Sequence, residues 1–570
     1  MKEISLIIIL LGSVSSLVAQ QYQQLDINNV NARINVKGYL FGDPATGLPG
    51  FEAPKNSGKH SIFAAHLWLG NASRLAASTY FNDSTDFTNG PLDNLAQTSN
   101  VMQTVYDRVW KVTKAEITYH IGVITGTIID PGYIIPSNIV DWPAHGDVNL
   151  GYDWNLAPYV DVNNDNFYEP ADGDYPLIKG DMATYVIYND YSNHKWSGGQ
   201  PIGVEIHQMA YAFACSVSAA IDNTIFVEYK VINKSANSYP NFYLSAWSDF
   251  DIGNYTNEFV ACDVDRACFF QFDENGTDTN ITGALGYGDY HPTVGTVILS
   301  GPWMDNDGND NPVSENPNGL GFGDGVIDNE RLGMTSFMYQ ATAGGTWRNL
   351  PTTDSQIHNM MDAIWIDSTN LNYGNTGHIP WVSPGNIRAR FVYPGTSDPT
   401  GYGTSGNTQL AWDEDDNTLL ANDNRGMGSM GPITLQPGAI NTIELAYVFA
   451  QDVNTTGVQA GKNLFIQYVD EIKMLYTNGN LGCGTTTNIN SLAIVDKIVV
   501  YPNPAHNKLF IKINEQEKIA TIKLYSITGK LIKEFSNQNN TLDISKISNG
   551  IYFLEITTNN KKTIQKIIKN

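Results

Sequence analysis

Leu509-Phe510-Ile511-Lys512-Ile513 and Thr521-Ile522-Lys523-Leu524-Tyr525 alternate apolar and polar side chains. The same beat returns in Leu531-Ile532-Lys533-Glu534-Phe535, Leu542-Asp543-Ile544, Ile551-Tyr552-Phe553-Leu554-Glu555-Ile556 and Thr563-Ile564-Gln565-Lys566-Ile567-Ile568-Lys569. A period of two is the signature of a strand with one buried face. Thr528-Gly529-Lys530 and Ser548-Asn549-Gly550 supply turns between these runs. Tyr501-Pro502-Asn503-Pro504 leads in, and its two prolines exclude a helix or a central strand. Six or seven short strands predict a small Ig-like β-sandwich.

Charge sets this tail apart. Residues 496–570 carry 12 Lys against 6 Asp and Glu, a net of about +6 on a chain of −25, which leaves the rest near −31. So sharp a change of sign marks a domain boundary. The stretch from Gly482 to Asn490 is polar, and the linker is placed at 482–495, with the tail domain at 496–570. At the other end, Met1-Lys2 and an apolar run from Ile4 to Val18 predict a signal peptide over 1–19, too short to span a bilayer.

Between them lies an acidic body, read as a β-rich region over 20–200 and a second over 201–481 that ends in a helix. Charged residues are only 16% of the chain, and Gly, Asn, Thr and Tyr fill their place, which suits many strands joined by polar turns. Strand candidates are Ile62–Gly70, Gly203–Ala214, Asn223–Ile232, Asn241–Trp247 and Thr442–Ala450; Ile117–Ile124 fits strand or helix. Leu464, Phe465, Tyr468, Val469, Ile472, Leu475 and Tyr476 fall on one helical face, with Asn478-Gly479 as the stop. The expected fold is mainly β: a multi-domain, sandwich-like body with few helices, followed by the sandwich tail. A strongly acidic body should be repelled by nucleic acid.

Calcium is the cofactor the loops suggest. Asp161, Asn163, Asp165 and Asp172 occupy positions 1, 3, 5 and 12 of an EF-hand-like loop, with the Phe167 carbonyl at position 7. Asn166 takes the position that normally needs glycine, and Pro158 and Pro170 exclude flanking EF-hand helices. A second acidic loop holds Asp305 and Asp307, followed by Asp324, Asp328 and Glu330, although no single register satisfies both halves. Asp249 with Asp251, and Asp413-Glu414-Asp415-Asp416, are further acidic groups. Among the four cysteines, Cys262 and Cys268 flank a five-residue segment between strand-like runs and are the expected disulfide, leaving Cys215 with Cys483.

Enzyme signatures are absent: no HExxH, GxSxG or Walker A sequence occurs. Gly401-Tyr402-Gly403-Thr404-Ser405-Gly406 fits GxGxxG but follows turn sequence rather than a strand. Asp141, His145 and Asp147, and Glu205 with His207, are acid–base or ligand candidates that their contexts do not distinguish from ordinary loop and strand residues. No catalytic residue is nominated. Many of the Trp residues sit in or near loops, among them Trp154, Trp303, Trp347 and Trp381, where stacking on sugars or on a protein partner is available.

The tail resembles the C-terminal (type A) sorting domain of type IX secretion substrates. The residues that carry this are Tyr501-Pro502-Asn503-Pro504-Ala505, Leu524-Tyr525-Ser526-Ile527-Thr528-Gly529-Lys530, Asn549-Gly550-Ile551-Tyr552-Phe553-Leu554 and the Lys-rich end. The resemblance implies contact with the type IX machinery through residues 496–570, export across an outer membrane, removal of the tail and attachment to surface lipopolysaccharide. The body resembles uncharacterised surface proteins with the same tail, through Asp141–Asp147, Ala171–Asp181 and Ser248–Asn254. The reading is a secreted, cell-surface or released protein with calcium-braced loops and a binding, adhesin-like or structural role toward a glycan or matrix ligand. The alternative is a secreted hydrolase of polysaccharide or protein.

Overall fold

The computed structural model describes residues 21–79, 85–274, 276–342, 345–378, 386–414 and 421–482 of the body, and 499–501, 505, 508–512, 519–526, 530–535, 541–558 and 562–569 of the tail. The expected signal peptide and linker, with Trp381, Asp415, Asp416 and Cys483, lie outside these residues. The chain divides into two compact units, Met1–Gly484 and Thr485–Asn570.

The body is mainly β, with two antiparallel sheets as its frame. Its long strands are β1 (Ala64–Asn71), β2 (Met182–Asn189), β3 (Val204–Ala212), β4 (Thr224–Asn233), β5 (Tyr239–Asp249), β6 (Glu258–Asp263), β7 (Cys268–Asp273), β8 (Thr293–Ser300), β9 (Ser336–Ala341), β10 (Asn424–Leu435) and β11 (Ile440–Ala450). A nine-stranded sheet runs β6-β7-β8-β11-β4-β3-β2, and Thr88–Asn89 and Trp110–Thr113 both pair with β2. A five-stranded sheet runs β9-β10-β5-β1 and ends at Arg74–Ala76.

The larger sheet is covered on both faces. Val186, Tyr188, Val227, Tyr229, Leu445 and Tyr447 enter the core shared with Leu244, Ala246, Met427 and Met430 of the smaller sheet. Their neighbours Tyr185, Ile187, Phe226, Ala446 and Val448 enter a second core on the opposite face. Strands buried on both sides read as nearly continuous apolar runs, which is why β3, β4 and β11 stand out in the sequence, whereas β2 lies in a stretch the sequence presents as turn-rich and acidic.

Two helices bear on the second core. Helix α1 (Lys114–Ile124) settles the ambiguous segment: the Thr113 side chain caps the Glu116 N–H while Glu116 returns to the Thr113 backbone, a reciprocal cap that starts a helix. Helix α2 (Val458–Thr477) carries the expected stripe, with Phe465, Val469 and Ile472 buried and Leu464, Tyr468, Leu475 and Tyr476 packed beside them. Two glycines permit its close approach. A Cβ on Gly461 would lie 2.4 Å from the His291 carbonyl oxygen, and one on Gly295 2.5 Å from the Phe465 ring.

Two expectations are corrected. The division at residue 200 falls between β2 and β3, which pair from Met182↔Ala212 to Asn189↔Glu205 within one sheet. Cys262 and Cys268 are both buried free thiols. The β6–β7 hairpin pairs Cys262 with Phe269 and Asp263 with Cys268, one residue out of step. Since side chains alternate faces along a strand, Cys262 enters the inter-sheet core and Cys268 the core beneath α2. Cys215 is disulfide-bonded.

The tail is a three-stranded sheet (Val499–Tyr501, Lys508–Lys512, Thr541–Asp543) and a four-stranded sheet ordered Leu531–Phe535, Ile519–Ser526, Gly550–Thr558, Lys562–Lys569. Leu509, Ile511, Leu542, Ile522, Leu524, Leu554 and Ile556 form one core between them, as the alternation predicts for a sandwich.

Candidate functional site

The loop at Asp161 is organised by carboxylates that accept backbone N–H groups. Asp161 Oδ1 accepts from Asn164 N at 2.6 Å and Oδ2 from Asn166 N at 2.8 Å. Asn163 Oδ1 accepts from Asp165 N at 3.0 Å, and Asp165 Oδ1 from Phe167 N at 2.9 Å. Asn164 and Asn166 adopt φ of 63° and 69°, so Asn166 takes the left-handed conformation its loop position requires. Trp154, stacked on His145 at 3.9 Å, donates its ring N–H to the Asn166 carbonyl. Asp172 lies exposed in a short turn beyond the loop. The residue that closes the loop is the buried Asp174, which accepts from Val162 N and Glu169 N, both at 2.9 Å. Desolvation and then the neighbouring Asp165, Asp172 and Asp174 raise the Glu169 carboxyl.

The second acidic loop folds its two halves together. Asp328 Oδ1 accepts from Asp307 N and Gly308 N, both at 2.9 Å, and Glu330 Oε1 from Asn311 N at 2.7 Å. Asp324 accepts from Val326 N and from the Asn329 side chain. Asp305 turns instead to Thr434 N, at 2.7 Å.

Neither loop brings three carboxylates into one coordination shell. Among the described residues, the group with ligand atoms all within 4.8 Å of one another is Asp249, Asp251 and Asp423. Asp249 ends β5 and is 1% exposed; Asp251 follows it, and Asp423 stands directly before β10. Arg425, opposite Asp249 in the β5–β10 register, reaches Asp249 Oδ2 at 3.1 Å and Asp423 Oδ1 at 3.0 Å. Among the described residues Asp249 Oδ1 has no hydrogen-bond partner.

Glu258, fully buried at the start of β6, accepts from Ile252 N at 2.6 Å through Oε1, and its Oε2 has no partner among the described residues. Asp273 pairs with Glu258 across β6–β7 and meets His291 Nδ1 at 2.9 Å. Burial pushes Asp249 and Asp273 up to about 7, and Asp251 and Glu258 well above the carboxylate range. Arg425 opposes the rise at Asp249, while Asp249 and Asp423 add to it at Asp251.

A different chemistry lies on the outer face of the larger sheet. Glu205 and His207, two apart on β3, face the same side: His207 Nε2 lies 2.6 Å from Glu205 Oε1, and Nδ1 2.8 Å from the Tyr185 hydroxyl. His207 and Tyr185 border a cavity of about 390 Å³ also lined by Tyr159, Glu228 and Lys230. Asp141, His145 and Asp147 do not form a common site: Asp141 pairs with Arg108, His145 faces the Trp154 carbonyl, and Asp147 caps a turn. The Gly401–Gly406 segment is a hydrogen-bonded turn with no strand before it. Trp303 is 43% exposed beside Arg331, whereas Trp365 is fully buried.

Residues 499–570 match the family described as the secretion system C-terminal sorting domain. This match supports the chain as a type IX secretion substrate and implies a destination at the cell surface or outside the cell. A search of curated proteins returns no match. Among solved structures the chain is similar to one titled polysaccharide lyase, at 9% identity and a TM-score of 0.19, covering 73% of this chain and 37% of that one. A likeness at that score carries no argument about fold or activity. No helix among the described residues is long and apolar enough to cross a membrane.

Proposed function

We propose that the body acts outside the cell as a binding or structural surface protein, adhesin-like in character, with calcium bracing its acidic loops. Retention on surface lipopolysaccharide after tail removal completes this reading. The observation that carries it is the Asp161 loop. Asp161, Asn163 and Asp165 wrap successive backbone N–H groups while the charges of Asp165, Asp172 and Asp174 bear on Glu169. A hard divalent cation neutralises such crowding and takes carboxylate and carbonyl oxygens as ligands. Exposed aromatic groups such as Trp303 beside Arg331 supply a stacking surface for a glycan or protein ligand.

The test is the thermal melt of the full chain in millimolar calcium and in chelator. The expected result is a rise of several degrees with calcium that shrinks in an Asp161→Ala/Asp165→Ala variant. Equal melts for both proteins in both buffers would sink the calcium part, and a glycan panel probed with the same samples tests the binding part.

The Tyr185–His207–Glu205 chain beside its cavity favours a second reading, a secreted hydrolase of polysaccharide or protein. Turnover of a polysaccharide or protein substrate that disappears in His207→Ala would select it over the first.

A further inference from the structure

We infer that Asp249, Asp251 and Asp423, with Glu258 beside them, form an internal divalent-cation site at the seam between the two sheets, independent of the exposed loops. Position is the first argument. Asp249 and Asp423 belong to the smaller sheet, at the end of β5 and directly before β10, while Glu258 opens β6 of the larger one. The two sheets touch here through the Glu258 and Asn422 backbones, which exchange hydrogen bonds of 3.2 and 3.0 Å. A cation at this point would tie the sheets together where their strands converge.

Charge is the second argument. Four carboxylates meet one guanidinium, that of Arg425, which is shared between Asp249 and Asp423. Buried carboxylates are normally paired, hydrogen-bonded or bound to a metal. Among the described residues, Asp249, 1% exposed, and Glu258, fully buried, each keep one oxygen without a hydrogen-bond partner. Glu258 stands beside the three aspartates, and Asp251 is the charge that bears most strongly on it. These are buried oxygens without a partner among the described residues, beside a group of convergent ligand atoms.

Donor chemistry narrows the ion. Every candidate ligand is a carboxylate, with neither thiolate nor imidazole in the group. An all-oxygen set selects hard cations, calcium or magnesium, over zinc or copper. Calcium tolerates an irregular shell of six to eight oxygens, whereas magnesium demands a near-octahedral one, so titration with each ion separates them.

The experiment counts ions on the full chain. A variant with both exposed loops disabled (Asp161→Ala, Asp165→Ala, Asp307→Ala, Asp328→Ala) is dialysed against calcium or magnesium, and bound metal is measured by atomic emission and by calorimetric titration. The expected result is one ion per chain, removed by chelator and lost, or bound at least 100-fold more weakly, when Asp251→Asn and Asp423→Asn are added. An ion-free loop-disabled chain overturns the proposal, as does an ion count that the added substitutions leave unchanged. If the added substitutions prevent folding, Glu258→Gln in the loop-disabled background replaces them, with weaker binding expected and unchanged binding overturning the site. Loss of the loop ions alone bears on the calcium-braced loops and leaves this site standing.

Discussion

A single residue of register decides the chemistry of two thiols. Because β6 and β7 pair Cys262 with Phe269, the cysteines lie on opposite faces of one hairpin, each in a separate apolar core. Burial pushes both thiols well above their ordinary range, which suppresses the reactive thiolate. Without reductant, the native protein should show no reactive thiol to a water-soluble reagent and two after denaturation; a native count of two would contradict this packing. His66 offers a pH test. Buried in β1 and stacked on Phe87 at 4.8 Å, it is held below the ordinary histidine range by burial, which outweighs the Leu67 and Lys37 carbonyls at its ring nitrogens. The unfolded chain therefore takes up this proton first, near pH 6.5, and the contribution of His66 to stability is lost as pH falls below that value. The raised carboxylates Asp249 and Asp273 act in the opposite sense between about pH 4 and 7, because there the folded chain binds more protons. The informative quantity is thus a difference: from pH 7 to 5, melts of His66→Gln should lose less stability than wild type. Identical slopes would remove His66 from the acid response.

At the scale of elements, what the sequence reveals depends on whether a strand's own side chains fill its core. β3, β4 and β11 supply Val, Ile, Tyr and Phe to two cores and are evident as apolar runs. β10 escapes notice because its sequence, Asn-Arg-Gly-Met-Gly-Ser-Met-Gly-Pro from Asn424, looks like a turn. Gly426 and Gly428 lie one pleat apart and leave room for the Phe269 ring, which a Cβ on either would approach within 2.8 Å. The space belongs to a residue more than 150 positions away, and no local pattern records it. The carboxylate cluster divides the same way. Asp249 and Asp251 are visible as a pair at a strand end, while Asp423 and Glu258 join them only through strand order. Close approach also makes α2 sensitive. Gly461→Ala adds helix propensity, worth about 1 kcal/mol, but drives a methyl into the His291 carbonyl, and we expect a net loss of about 1–3 kcal/mol in urea denaturation. A stabilised variant would mean that α2 lies farther from β8 than described.

The whole body is built from contacts distant in sequence. β10 lies between β9 and β5 of the smaller sheet, and β11 between β4 and β8 of the larger. Two adjacent strands near the end of the body, residues 424–450, thus supply an inner strand to each sheet. This arrangement sets a timetable for vectorial synthesis. A nascent chain that has not yet reached residue 424 has both sheets interrupted, each with an open edge where an inner strand belongs, so neither core can close. Such topologies acquire order late, because long loops must be closed before their contacts repay the entropy. A chain stopped at residue 423 should melt without a cooperative transition in urea, and a sharp transition there would refute the timetable. Because the sorting tail at 499–570 is made after this keystone, the body has every strand it needs to close both cores before the signal for export is complete.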